Sequence, residues 1–208
     1  MIFSRIELDL TRHSTMKALA SPNLFHGAIE QSFSGPRSRN LWRIDTLGDK
    51  TFLLVLSQEL PDFTHLVAQF GVSCWESRNY DSLLEHIEAG DVWQFRLTAN
   101  PTISKSCGQN ERGRVLGHIT PEYQKQWLAS RAEKHGFSLS QETFDVTHSH
   151  WLRFRKGTEG GRLVTLLSVT YEGVLTVRDP ILFKRILTEG LGRGKAYGLG
   201  LLTIARQR

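Results

Sequence analysis

A glycine-rich segment near the C-terminus is the part of the sequence whose residue types most clearly suggest chemistry. It spans residues 190–200 and contains Arg193 and Lys195 between its glycines. A mononucleotide P-loop would need glycine at position 189 and serine or threonine at position 196, where the chain has Glu189 and Ala196. A dinucleotide-binding loop would need glycine at position 197, which is Tyr197. The pattern therefore argues against a loop that binds a nucleotide cofactor.

What remains is a cationic segment whose backbone another molecule can approach closely. Glycine has no Cβ atom, and Arg193 and Lys195 add positive charge, so the sugar-phosphate backbone of a nucleic acid is a suitable ligand. A tight connection between a helix and a strand is the alternative, but it would need only one or two glycines. The glycines of this predicted phosphate-binding segment are Gly190, Gly192, Gly194, Gly198 and Gly200.

A second group of cations precedes this segment, in the stretch WLRFRKG. Arg153, Arg155 and Lys156 fall on a predicted β-hairpin, and Arg162 follows just across its turn. Strand alternation places Arg153 and Arg155 on one face together with Trp151. Because arginine pairs well with phosphates and with guanine edges, this hairpin is predicted to bind a nucleic acid. A charged outer face of a sheet is the alternative.

The charge of the chain is unevenly distributed. Residues 151–208 carry eleven Lys or Arg against four Asp or Glu, whereas residues 1–150 carry fifteen against seventeen. Each cation near a phosphate releases condensed counterions, so a basic C-terminal third favours a polyanionic partner. A solvated basic face would give the same count, and that alternative stays open here.

Composition disfavours several classes of protein. No run approaches the roughly 18 to 20 unbroken apolar residues of a membrane helix, and the N-terminus carries charges where a secretory signal is apolar. We therefore expect neither membrane insertion nor export. Two cysteines, Cys74 and Cys107, are too few for a disulfide framework and suit a reducing cytoplasm. His148 and His150 have no further ligands at metal-binding spacing, so we expect no metal and no other cofactor.

Apolar periodicity predicts a similar order of elements in both halves of the chain. In the first half, the predicted elements are strands at 2–10, 41–47 and 51–58, an interrupted helix over 14–34 and a helix over 62–70. Residues 71–90 give no clear pattern beyond a possible short helix that ends at Gly90. In the second half, they are strands at 92–101, 143–156, 162–177 and 199–205, helices over 121–136 and 179–190, and a loop over 102–118.

Two βαββαβ units predict an α+β fold. The expected architecture is two tandem ferredoxin-like domains, also called RRM-like, each with an antiparallel sheet. The predicted boundaries are 1–90 for the N-terminal domain and 91–208 for the C-terminal domain, which carries both the basic hairpin and the glycine-rich segment.

Four stretches of the sequence resemble one known family. They are ASPNLFHGAI near the N-terminus, FRLTANP in mid-chain, and YEGVLTVRDP and GLGRGKAYGLGLLTIA towards the end. In the same order and over essentially the whole chain, they are similar to the CasE family of CRISPR repeat-processing endoribonucleases, subunits of type I-E Cascade. The glycine-rich ending alone would indicate only the wider RAMP superfamily, whereas the histidine segment and RLTANP narrow the resemblance to CasE.

The resemblance implies an activity, a set of partners and a catalytic residue. The implied fold is again two tandem ferredoxin-like domains. The implied reaction is metal-independent cleavage of CRISPR repeat RNA at the 3′ base of its stem-loop, with a 2′,3′-cyclic phosphate product that the enzyme keeps. The implied partners are the repeat RNA or crRNA stem-loop and the other Cascade subunits, with target DNA reached only indirectly through the complex. His26 matches the catalytic histidine of the family.

Such a cut makes defined chemical demands. The ribose 2′-hydroxyl must lose a proton as it attacks phosphorus, and the leaving 5′-oxygen must be protonated or stabilised. Histidine suits both tasks near neutral pH, and general acid-base catalysis is typically worth about 100- to 10,000-fold. Some family members carry a tyrosine three residues before this histidine, where the chain has Asn23. Asparagine cannot carry a proton, but its amide can hydrogen-bond a phosphate oxygen or orient the scissile nucleotide. Arg37, Arg39 or Lys195 could offset the charge on phosphorus, and the sequence does not choose among them.

Two other functions are hypotheses at this point. One is a non-catalytic stem-loop RNA-binding subunit of the same fold, in which loss of the tyrosine has left His26 idle. The other is a conventional RRM protein, which is disfavoured because neither half contains an RNP-type aromatic octapeptide.

Overall fold

The computed structural model describes residues 1–36, 38–105, 114–157 and 161–206. Two larger antiparallel sheets follow one another along these ranges, and a separate two-stranded sheet accompanies the second. None of the helices in the described ranges has the length and apolar character needed to cross a bilayer.

The N-terminal sheet has four strands in the order β2-β3-β1-β4, which is the strand order of a ferredoxin-like unit. Its elements are β1 (Ile2–Leu8), α1 (His13–Ala20), α2 (Asn23–Glu30), β2 (Leu41–Leu47), β3 (Lys50–Ser57), α3 (Thr64–Phe70) and β4 (Gly71–Asn79), followed by the short helix α4 (Asp81–Glu85). The predicted break between two helices is confirmed, since Pro22, which lacks a backbone N–H donor, lies between α1 and α2.

Strand β4 lies in the stretch where apolar periodicity showed no clear pattern. It pairs antiparallel with β1, with Ile2 opposite Asn79 and Ile6 opposite Trp75. Most of its side chains are exposed at the edge of the sheet, so the apolar alternation of a half-buried strand is missing. With β4 in place, the first βαββαβ unit is complete.

The C-terminal sheet has the order β11-β5-β10, and β8 and β9 both pair with β10. Its elements are β5 (Val92–Ala99), α5 (Pro121–Ala132), β8 (Phe137–Ser138), β9 (Phe144–Lys156), β10 (Arg162–Val177), α6 (Pro180–Glu189) and β11 (Leu202–Arg206). The prediction that 102–118 is only a loop is wrong, because β6 (Thr102–Lys105) and β7 (Arg114–Gly117) pair with each other there. These strands are short and partly polar, which is why apolar periodicity did not reveal them.

The two units confirm the predicted α+β class with two tandem ferredoxin-like domains, whereas the boundary between residues 90 and 91 stays a prediction. The apolar core joins the domains, since buried Leu41, Leu54 and Leu56 of the N-terminal sheet belong to the same cluster as Trp127 and Leu201 of the second unit. The relative position of the domains therefore depends on side chains from both.

A buried arginine of β2 adds polar contacts between the domains. Arg43 is only 1% exposed, and its guanidinium pairs with Asp45 through bonds of 2.6 and 2.7 Å. The same group donates to the carbonyl oxygens of Arg96 and Leu201, both at 2.8 Å, and to Oγ1 of Thr203 at 2.8 Å. The charge is thus neutralised and its donors are used, which is the condition for burying an ion pair.

Candidate active site

An open cleft between the two domains brings together several of the predicted site residues. It has a volume of about 580 Å³. Its N-terminal wall is formed by helix α2 and the stretch before β2, and its C-terminal wall by the first half of the glycine-rich segment. The lining residues are His26, Glu30, Ser38, Arg39, Asn40, Gly192, Arg193, Gly194, Lys195 and Ala196.

Helix α2 positions His26 on this cleft. Phe25, Ala28 and Ile29 of the same helix are buried in the N-terminal core, so the helix is held by its apolar face. His26 and Glu30 are one turn apart on the other face, are both half-buried and both line the cleft. The imidazole is therefore carried by a packed helix and not by a loop.

A neighbouring cavity extends the cleft along the N-terminal domain. Its volume is about 460 Å³, and it shares His26, Glu30, Ser38 and Asn40 with the first. It continues towards Gly35 and Pro36, and His26 borders both cavities. An elongated ligand could thus pass the imidazole.

Three cations line the cleft. Arg39 and Arg193 are exposed, whereas Lys195 is half-buried and its Nζ donates to the carbonyl oxygen of Glu189 at 2.6 Å. Burial lowers the pKa of Lys195, and the positive charge of Arg39 lowers this pKa further, while Glu189 opposes the shift. Arg39 lies on the N-terminal wall and Arg193 and Lys195 on the C-terminal wall, so the cleft is suitable for an anion.

The five glycines of the segment lie in two different environments. Gly192 and Gly194 line the cleft and have φ angles of 83° and 84°, a left-handed conformation that favours glycine. Gly190 and Gly198 instead pack on the N-terminal domain, where an added Cβ would lie 2.9 Å from Leu41 and 2.8 Å from Trp42. Gly200 is buried as well. Contact with a phosphate therefore remains an explanation for Gly192 and Gly194 only, and an added Cβ at Gly194 would also lie 2.9 Å from Leu199.

The predicted basic hairpin lies beside the cleft and does not line it. Arg153, Arg155, Lys156 and Arg162 are all exposed. Register confirms that Arg153 and Arg155 share a face with Trp151.

The opposite face of the hairpin contacts the glycine-rich segment. Phe154, which lies between Arg153 and Arg155, is buried and packs edge-on against Tyr197 with 4.9 Å between ring centroids. The hairpin is thereby fixed relative to the wall of the cleft, although its arginines point away from it.

Of the remaining predicted residues, Asn23 is not placed on the cleft. Asn23 begins α2, one turn before His26, but it does not belong to the lining of either cavity. Its Oδ1 is buried and accepts no hydrogen bond from any residue that the structure describes. Arg37 lies outside the described residues.

The sequence did not single out Glu30, Ser38 and Asn40, which also line the cleft. Glu30 could have been found, because a residue four positions after His26 shares its helix face. Ser38 and Asn40 precede β2 in an irregular stretch, and no spacing signal marks them. Across the described ranges, no three His, Cys, Asp or Glu side chains come together as a set of metal ligands.

The arrangement suits acid-base chemistry on a phosphodiester. An imidazole faces a backbone segment with left-handed glycines, and cations stand on both walls. Imidazole can accept and donate a proton near neutral pH, and cations stabilise charge that develops on a phosphoryl oxygen.

The fold agrees with comparisons to known proteins. The model of the family described as CRISPR associated protein matches residues 1–206. The chain belongs to this family.

Individual relatives are similar over their full lengths. The CRISPR-associated endoribonuclease Cse3 of Thermus thermophilus is 28% identical over 218 residues, which cover 99% of this chain and 100% of the relative. A structure of CRISPR endoribonuclease Cse3 bound to 19 nt RNA has a TM-score of 0.82 and 27% identity, with 99% of this chain and 100% of that chain covered. Thermus thermophilus Cse3 bound to an RNA representing a pre-cleavage complex has a TM-score of 0.78 and 26% identity, with 99% and 98% covered. The resemblance to CasE found in the sequence is confirmed.

Proposed function

We propose that the chain is an endoribonuclease that cleaves CRISPR repeat RNA at the 3′ base of its stem-loop and leaves a 2′,3′-cyclic phosphate. The observation that carries this proposal is the cleft in which His26 faces Arg193 and Lys195 of the glycine-rich segment. Full-length similarity to relatives that are named endoribonucleases and were solved with RNA supports it.

The reaction uses a nucleophile that RNA itself contains. The 2′-oxygen forms a bond to the adjacent phosphorus, its proton passes to a base, and the bond from phosphorus to the 5′-oxygen breaks as that oxygen gains a proton. The protein has to move protons and offset negative charge, both of which side chains can do, and we propose that it does so without a metal.

His26 is the proton-transferring residue in this proposal. It either accepts the proton of the 2′-hydroxyl or donates one to the leaving 5′-oxygen, because one imidazole nitrogen can accept while the other donates. Arg39 and Lys195 line the same cleft and offset the charge on the phosphoryl oxygens. Arg37 keeps its predicted role in charge stabilisation, and Asn23 its predicted role in orienting the scissile nucleotide.

Binding of the stem falls to the C-terminal domain. The exposed cations Arg153, Arg155, Lys156 and Arg162 project from the hairpin that Phe154 fixes beside the cleft. An A-form stem is recognised mainly by shape and backbone, which an exposed cationic hairpin can contact. Gly192 and Gly194 let the RNA backbone pass close to Arg193.

The product and its setting complete the proposal. The enzyme keeps the cleaved stem-loop and acts as a subunit of Cascade, so it meets target DNA only through the assembled complex. We place it in the cytoplasm, where the exposed and unpaired Cys74 would remain a thiol.

Cleavage of a stem-loop repeat RNA in EDTA tests the proposed function. The wild-type protein should give one cut and a cyclic phosphate end, and a 2′-deoxy substitution at the scissile nucleotide should abolish that cut. His26→Ala should lose cleavage, whereas His65→Ala, which changes an exposed histidine of α3, should retain it. Tight binding of RNA that stays intact with the wild-type protein would instead support the non-catalytic subunit.

A further inference from the structure

An exposed aromatic surface lies on the C-terminal domain outside the cleft. Tyr123 of α5 is 58% exposed and Trp151 of β9 is 48% exposed. The Trp151 ring lies against Gly117, where an added Cβ would be 3.4 Å from the ring. The next residue, His118, stacks on Tyr123 with 6.0 Å between ring centroids and 29° between ring planes. The row from Trp151 through Gly117 and His118 to Tyr123 is the aromatic surface.

A buried glutamine holds this surface in place. Gln124 is fully buried, and its Nε2 donates to the carbonyl oxygens of His118 and Ile119 at 2.9 and 3.0 Å and to Oγ of Ser149 at 3.1 Å. These bonds tie the chain around His118 to both α5 and β9. The aromatic rings are therefore presented by fixed backbone, which reduces the ordering cost of binding.

The charge beside Trp151 is positive. Arg153 and Arg155 follow Trp151 on the same face of β9, and both are exposed. Thr165 lies opposite Arg153 across the hairpin. Because threonine is neutral, this cross-strand neighbour does not offset the charge of Arg153. At the other end, the acidic Glu122 adjoins Tyr123. A ligand with flat faces and negative charge would thus place its charge at the Trp151 end.

We propose that the aromatic surface stacks unpaired nucleobases that flank the RNA stem, with their phosphates next to Arg153. Every base has a π-face, and an exposed aromatic ring beside a cation binds single-stranded RNA without reading its sequence. The inference rests on the proposed function, because the hairpin that carries Trp151 is the one assigned to the stem. A protein partner would fit the rings but would not require the guanidinium groups on the same strand face.

Binding to two RNAs tests this assignment. One is the repeat stem-loop with its single-stranded flanks, and the other is the same stem closed by a tetraloop without flanks. Trp151→Ala should weaken binding of the flanked RNA by about 5- to 150-fold, the range for loss of one stacked base, and should leave the flankless stem unchanged. Trp151→Phe should restore most of the affinity, and Tyr123→Ala should give a loss of the same kind.

Two further readouts separate stacking from loss of charge or of fold. Trp151→Ala should not change the slope of log Kd against log salt, whereas Arg153→Ala should reduce it by about one. A 2-aminopurine in the flank should be quenched on binding to the wild-type protein but not to Trp151→Ala. Ile181→Ala, which changes an 81% exposed residue of α6, is the matched control and should behave as wild type.

Several results would overturn the inference. One is that Trp151→Ala and Tyr123→Ala both bind the flanked RNA with wild-type affinity. A second is that these variants lose as much affinity for the flankless stem as for the flanked RNA. A third is that they no longer associate with other Cascade subunits while their RNA binding is unchanged. A wild-type protein that binds no repeat RNA would contradict the proposed function itself, whereas unaffected variants of an active protein would contradict only the stacking assignment.

Discussion

The glycine-rich segment consists of two arms that use glycine for different physical reasons. The cleft arm, residues 192–196, carries Arg193 and Lys195 on the wall that faces His26. The packed arm, residues 197–201, is buried from Gly198 onwards and packs against the N-terminal domain. Gly192 in the cleft arm leaves room for a ligand, whereas Gly198 leaves room for the Trp42 ring of the same protein. A glycine-rich pattern alone therefore does not define a binding loop.

The comparison also shows that residues outside the cleft determine its shape. Trp42 contacts the packed arm, and Arg43 holds Leu201 and Thr203 by hydrogen bonds. Both residues belong to β2 of the N-terminal domain, and the stretch just before β2 lines the cleft. The N-terminal domain thus positions the opposing wall as well as its own. Substitutions in the packed arm should mainly affect stability, and substitutions in the cleft arm should mainly affect RNA binding.

Arg43→Met should have the largest effect on stability. The substitution removes the buried partner of Asp45, and among the described residues Asp45 keeps only Arg96, at 3.4 Å, as an ion-pair partner. Removing one partner of a buried ion pair costs about 3–5 kcal/mol of stability. Denaturant unfolding measures the change in the free energy of unfolding. Arg5→Met is the control, since Arg5 and Glu76 form an exposed pair worth at most about 1 kcal/mol. Equal stability of the two variants would contradict a role of Arg43 in joining the domains.

Gly198→Ala should lower the free energy of unfolding by about 2–4 kcal/mol. The φ angle of Gly198 is 78°, and an added Cβ would lie 2.8 Å from Trp42, so a left-handed backbone and a steric overlap both contribute. Gly48→Ala is matched in backbone conformation, with φ of 63°, but has no atom within 4 Å of the added Cβ. Its cost should be about 1 kcal/mol, and a similar cost for both variants would mean that contact with Trp42 is unimportant.

Gly192→Ala should separate binding from stability. Its φ of 83° is also left-handed, but the nearest atom to an added Cβ is a ring carbon of Trp127 at 3.4 Å, an ordinary contact. Stability should therefore fall by only about 1–2 kcal/mol. RNA affinity should fall by about 10- to 100-fold, as expected if a methyl group prevents one charge-assisted hydrogen bond to the RNA backbone. Unchanged affinity in a filter-binding titration would remove the cleft arm from the RNA interface.

Arg193→Ala should give the smallest change. Arg193 is exposed, so the free energy of unfolding should stay within about 0.5 kcal/mol of wild type. Loss of one phosphate contact should reduce the slope of log Kd against log salt by about one. Arg78→Ala, which changes an exposed arginine on β4, should leave the slope unchanged. The same slope for both variants would show that Arg193 does not contact phosphate.

The sequence predicted the elements whose apolar pattern is strong. The break at Pro22, the two strands at 41–47 and 51–58, and the common face of Trp151, Arg153 and Arg155 follow from local periodicity and backbone chemistry. Strand β4 could not be found in this way, because an exposed edge strand lacks apolar alternation.

Long-range contacts account for what the sequence could not reveal about the site. Nothing local distinguishes Gly192, which lines the cleft, from Gly198, which accommodates Trp42. Arg43 lies in a strand beside Leu41 and Trp42. The local sequence gives no sign that its partners come from β5, from β11 and from the residue just before β11. Placement of His26 opposite the glycine-rich segment likewise depends on how the two domains pack.

Paired rate and affinity measurements on His26→Ala and Arg193→Ala test most directly whether His26 contributes to the reaction and Arg193 to RNA binding. Single-turnover cleavage at saturating repeat RNA gives the rate, and equilibrium binding to a 2′-deoxy substrate gives Kd. His26→Ala should lose at least about 100-fold in rate with Kd within about twofold of wild type, whereas Arg193→Ala should bind more weakly and cleave at nearly the wild-type rate once saturated. Cleavage by His26→Ala at the wild-type rate would contradict the assignment of this cleft as the active site.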